Sequence, residues 1–206
     1  MRRPLRLTTE NVFLICGLLI VLLGWVADLF GVLEEGAAGD NHSGGNFSLR
    51  IFITMFAVAF ATIGVGFESF SKMLTDPALT KRYLVAFLFL ADGSLHLYAF
   101  NDHLGEAFPA AFFAIASTLQ LAAAFLIPST RQELDSAWLG LTASLIAAYV
   151  VATTVAVWPI GTVEEVDPLG LLSKAVEVVT VITLISLMRG QRVERTTANE
   201  VASPDR

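Results

Sequence analysis

Between residues 92 and 106 the sequence reads Asp-Gly-Ser-Leu-His-Leu-Tyr-Ala-Phe-Asn-Asp-His-Leu-Gly-Glu, which sets two of the chain's three histidines, His96 and His103, among three carboxylates, Asp92, Asp102 and Glu106. Imidazole and carboxylate side chains carry protons, and together they suit zinc, copper(II) or a similar ion. A second ionisable pair, Lys174 and Glu177, interrupts an apolar stretch near the C-terminus. Asp92 and His96 are spaced i, i+4, and Lys174 and Glu177 i, i+3. Each pair therefore shares one face if its segment is helical.

The elements that must carry these groups follow from composition. Hydrophobic residues make up 55% of the 206-residue chain, and the mean hydropathy is +0.67. That is too apolar for a soluble globule of this length. Six mostly apolar runs, near 11–33, 49–71, 82–101, 107–127, 137–159 and 168–189, are each about long enough to span a hydrocarbon core of ~30 Å. Lipid offers the backbone no hydrogen-bonding partners, so such runs are helices and not strands. The expected fold is an all-α integral membrane bundle of six transmembrane helices over 1–190. A polar, disordered cytoplasmic tail is expected over 191–206. The Asp-Pro steps at 76–77 and 167–168 and the Pro-Ser at 128–129 mark helix boundaries. The run beginning at Val12 is too long for a leader's apolar region and reads as the first span.

Basic residues set the expected orientation. Arg2, Arg3, Arg6, Lys72, Lys81, Arg82, Arg131, Arg189, Arg192, Arg195 and Arg206 fall on one side and Arg50 on the other, with Lys174 inside a helix. By the positive-inside rule both termini are cytoplasmic, in a cell membrane crossed several times. The other face is acidic, with Glu34, Glu35, Asp40, Asp102, Glu106, Glu164, Glu165 and Asp167. The net charge of −6 thus describes a water-facing side and offers no basic patch for nucleic acid. The single cysteine, Cys16, allows no intrachain disulfide and no cysteine metal cluster. No nucleophile with a general base points to an enzyme.

Ionisable groups at mid-bilayer cost roughly 2.5–3.5 kcal/mol each on insertion scales, so each calls for a partner or a function. One reading is structural pairing of Lys174 with Glu177 or Asp92, holding helices together. The sharper reading is a buried charge relay through His96, Asp92, Lys174 and Glu177, with Glu68 as its cytoplasmic exit. For a metal ion the candidates are His96, His103, Glu106 and Asp102. His96 and His103 would stand ~10 Å apart on a continuous helix, so a shared ion requires a bend near Asn101. His103 and Glu106 could instead serve the start of the fourth helix as capping groups. Haem needs two axial ligands, and only His96 is buried, so a homo-oligomer or a partner membrane subunit would have to supply the other.

The run His96-Leu-Tyr-Ala-Phe-Asn-Asp-His103-Leu-Gly-Glu106, followed by Phe112-Phe113 and Gln120, resembles a motif of small multi-pass membrane proteins of bacteria and archaea. In them a His-x6-His-x2-Glu turn joins two helices and a late helix carries a glutamate, as Leu171 to Glu177 does here. The resemblance implies that His96, His103 and Glu106 act together, and it names no activity. The expected function is a small transporter of protons or cations, metal ions included, with His103 and Glu106 at an outward mouth. The alternative is a non-transporting membrane subunit that binds a metal, haem or quinone within a larger redox or assembly complex.

Overall fold

In a computed structural model of the chain, the described residues are 8–33, 47–128, 132–156, 163 and 166–202. They form six long helices: α1 (Thr9–Leu29), α2 (Phe47–Thr75), α3 (Pro77–Asp102), α4 (Ala107–Leu126), α5 (Asp135–Thr154) and α6 (Pro168–Ala202). A single turn of 3-10 helix, Gln132–Leu134, leads into α5. All six long helices contain a stretch long and apolar enough to cross a bilayer. The chain is thus an all-α, multi-pass membrane protein whose surroundings are lipid.

Local chemistry sets the ends of these helices. Asp76 caps α3, its Oδ1 accepting from the backbone N–H of Ala78 at 2.9 Å and of Leu79 at 3.0 Å, with Pro77 in the first turn. Asp167 does the same for α6, accepting from the Gly170 N–H at 2.8 Å. Gly31, at φ 71°, ends α1 in the left-handed region, and its N–H donates to the Asp28 carbonyl at 2.9 Å. The helical backbone of α6 extends past Gly190, where the apolar stretch ends, to Ala202. A disordered tail is the sequence expectation from Gln191 on, and the backbone over most of that segment is helical.

Small residues bring α1 against α2. A Cβ on Gly17 would lie 2.9 Å from the Ala57 carbonyl oxygen, and one on Gly64 would lie 2.1 Å from the Phe13 Cβ. Close helix approach over small residues is the usual source of packing energy in lipid, where no hydrophobic effect drives helices together. Gly64→Val is expected to destabilise the protein by about 1–3 kcal/mol through overpacking. Unfolding by sodium dodecyl sulfate in mixed micelles would measure it, and an unchanged midpoint would contradict this packing.

Helix α3 is the axis of the bundle, packing against α1, α2, α4 and α6. Of its spanning stretch 67% is buried, against 11% for α5, so α3 is where polar groups must find protein partners. Ion pairs close it at both ends. At its start, buried Arg82 donates to Asp135 Oδ2 at 2.9 Å and to the Ile127 carbonyl, at the end of α4, at 3.1 Å. At its far end, Arg50 of α2 meets Asp28 of α1 and Asp102 of α3. α5 packs on α6, and the Arg82–Asp135 pair ties its first turn to α3.

Candidate functional site

Midway along α3, Asp92 and His96 face α6 and α4. Their i, i+4 spacing puts both on the buried face, and they are 2% and 3% exposed. Ser173 of α6 donates to Asp92 Oδ1 at 2.6 Å. Gln120 of α4 bridges the pair: its Nε2 donates to Asp92 Oδ2, and its Oε1 lies 2.7 Å from His96 Nδ1. A carboxylate only accepts, so the Gln120 amide must present its NH₂ to Asp92 and its oxygen to His96. His96 therefore carries a proton on Nδ1 and turns Nε2 toward α6.

Glu177 meets it there, with Oε1 3.8 Å from His96 Nε2. This carboxylate is fully buried, and its Oε1 accepts from Lys174 Nζ at 2.5 Å. Its Oε2 has no hydrogen-bond partner among the described residues. Lys174 Nζ also lies 5.4 Å from the centroid of the Tyr149 ring on α5, a cation–π contact. One donor atom from each of Asp92, His96 and Glu177 lies within 4.8 Å of the others. The centre has one imidazole, two carboxylates and a lysine, assembled from α3 and α6 and held in orientation by α4.

Of the residues expected to form a site, the structure brings together Asp92, His96, Lys174 and Glu177. His103 and Glu106 stand apart. α3 stays helical to Asp102, without the break near Asn101 that a shared histidine site requires. The Phe113 ring of α4 stacks on both imidazoles, with centroids 5.7 Å from His96 and 5.1 Å from His103. Seven residues of helix rise about 10 Å, so Phe113 fills the interval between them. His103 Nδ1 lies 3.8 Å from Glu106 Oε1 at the half-exposed turn. Glu106 is the N-cap residue of α4 and makes no side-chain capping bond. Glu68 lies on α2, with its side chain outside the described set.

Asp102 belongs to a different constellation. Arg50 Nη1 and Nη2 donate to its two oxygens at 2.7 and 2.8 Å, while Arg50 Nε and Nη2 donate to Asp28 at 2.8 and 2.9 Å. Asn101 Nδ2 adds a bond to Asp28 Oδ2 at 2.8 Å. From sequence alone Gln120 has no role beyond its place in the motif, and nothing singles out Ser173. A signal was available for Arg50, a lone cation on an otherwise acidic side with Asp28 and Asp102 at neighbouring helix ends.

A cleft of about 140 Å³ is lined by Ile51, Thr54 and Met55 of α2, Ala91 and Leu95 of α3, and Leu172 and Val176 of α6, all apolar but Thr54. The chain matches no protein-family model, no curated protein and no solved structure.

Proposed function

We propose that this protein is a small transporter that passes a cation, a proton or a metal ion, across the cell membrane through the Asp92/His96/Glu177 centre. The observation that carries this reading is the gathering of two carboxylates, an imidazole and a lysine at one buried level, with one donor atom each of Asp92, His96 and Glu177 within 4.8 Å. Ionisable side chains are costly in a membrane interior and are a mark of ion pathways there. The skew of lysine and arginine toward one set of loops supports an orientation with both termini in the cytoplasm. In that orientation His103 and Glu106 lie at the outward mouth, and Phe113 separates the mouth from the centre.

The reading is tested by ion flux into proteoliposomes of purified protein, over a panel of monovalent and divalent cations. Wild type is expected to support flux of at least one cation, and Asp92→Asn and Glu177→Gln to reduce it to the level of empty liposomes. Flux that is unchanged in both variants would remove the centre from the pathway.

A second reading, a membrane subunit that holds a lipid-soluble ligand such as quinone for a larger complex, is favoured by the apolar lining of the cleft between α2, α3 and α6. It predicts no flux and the co-purification of a partner or a ligand.

A further inference from the structure

We infer that Asp92, His96 and Glu177 form a binding site for a divalent transition-metal ion of the zinc(II) class, and that Lys174 is the internal cation this ion displaces. The inference deepens the reading of the centre as a cation site and rests on it. Two carboxylates balance one divalent ion, so the ion and its three donors are together neutral, and the Lys174 ammonium, which pairs with Glu177 in the empty centre, is the charge left over when the ion is in place. The imidazole selects against alkali and alkaline-earth ions, which prefer all-oxygen sets. Three protein donors with a fourth position open is the arrangement of zinc sites that exchange a ligand.

The geometry is close to what such an ion needs. Donors bonded to zinc at about 2.0–2.1 Å in a tetrahedron stand roughly 3.3–3.4 Å from one another. His96 Nε2 and Glu177 Oε1 are already 3.8 Å apart, and donor atoms of all three residues lie within 4.8 Å. The supporting groups are also in place. Gln120 Oε1 accepts a hydrogen bond from His96 Nδ1 and so favours the tautomer with Nε2 free to ligate, as ligating histidines are fixed through their other ring nitrogen, and Gln120 and Ser173 orient Asp92. Glu177 Oε2 is buried and, among the described residues, without a hydrogen-bond partner, so it has lone pairs free for a ligand.

Lys174 Nζ now neutralises Glu177. A divalent ion would repel the ammonium, whose flexible stem can carry it toward the Tyr149 ring, 5.4 Å away. Lysine and metal thus compete for one carboxylate.

The test titrates purified full-length protein in nanodiscs with zinc(II) chloride by calorimetry and with cobalt(II) chloride by visible absorption. Wild type is expected to bind one ion per chain and to give the intense d–d bands of a low-coordinate cobalt site. Lys174→Gln should tighten binding about tenfold or more, because it removes a unit charge a few ångströms from the ion. His96→Ala and Glu177→Gln should weaken it by about 100-fold or more, and Gln120→Ala by about 10–100-fold through the orientation of His96. No saturable binding in either wild type or Lys174→Gln would overturn the site, as would binding that persists at full strength in both His96→Ala and Glu177→Gln. Lys174→Gln keeps every donor, so it remains informative if a ligand variant fails to fold. Flux separates this inference from the transport reading. Zinc binding without flux of any cation supports the site and sinks transport, whereas flux without zinc or cobalt binding overturns the site and leaves transport standing.

Discussion

Arg50→Met is expected to destabilise the protein by about 3–5 kcal/mol, the cost of breaking a buried ion pair from one side. The guanidinium makes four hydrogen bonds to two carboxylates, bidentate to Asp28 and bidentate to Asp102. Asp28 is 6% exposed, so it cannot turn to water when the arginine is lost, and Asn101 still donates to its carboxylate. The substitution also removes the cation–π contact of the guanidinium with the Tyr98 ring, whose centroid lies 5.3 Å away, so a second substitution is needed to isolate the charge. Adding Asp28→Asn to Arg50→Met should restore part of the stability, because the amide removes the uncompensated charge. Both effects are read from detergent unfolding midpoints. A single variant as stable as wild type would show that the three groups do not hold α1, α2 and α3 together.

Asp135→Ala is expected to cost a similar amount, about 3–5 kcal/mol, by taking from the buried Arg82 the carboxylate that neutralises it. Asp135 is fully buried at the first turn of α5 and accepts from Arg82 Nη2 at 3.2 and 2.9 Å. α5 otherwise packs chiefly on α6, and only 11% of its spanning stretch is buried. The loss should therefore show first as loosening of α5: faster amide exchange over 135–154, with α1 to α3 still protected. Uniform loss of protection across all six helices would argue against a local tie. The double variant Arg82→Met with Asp135→Leu should recover most of the stability, as replacement of buried pairs by apolar groups commonly does.

The six spans were legible because lipid tolerates few alternatives to a long apolar helix, and the Asp-Pro steps placed two boundaries where Asp76 and Asp167 cap α3 and α6. The pairs Asp92/His96 and Lys174/Glu177 were legible for a similar reason: spacing within one helix fixes the shared face, and burial makes charge conspicuous. Contacts between helices were harder. Whether Asp92 meets Ser173, or His96 meets Gln120, depends on how far each helix is rotated about its own axis, and a single segment does not encode that. His103 lies close to His96 in sequence, which suggested a common site. The structure puts the Phe113 ring in the gap, because α3 remains helical to Asp102 and carries His103 one interval further along. Asp102 looked like a ligand, and its two oxygens are occupied by Arg50, a residue some fifty positions earlier.

The dependence of the centre on α6 has a consequence for biogenesis. Asp92, His96 and Gln120 are synthesised first and enter the bilayer as a partial set on α3 and α4, while the last helix is still on the ribosome. Lys174 and Glu177 are three residues apart in that helix and bonded to each other, so α6 carries its own counter-charge through the insertion machinery and presents a neutral pair to lipid. The earlier helices gain their Ser173 and Glu177 partners only when α6 docks. Chains arrested before residue 168 should therefore expose an incompletely satisfied carboxylate and imidazole in the membrane, the kind of lesion that membrane quality-control proteases recognise.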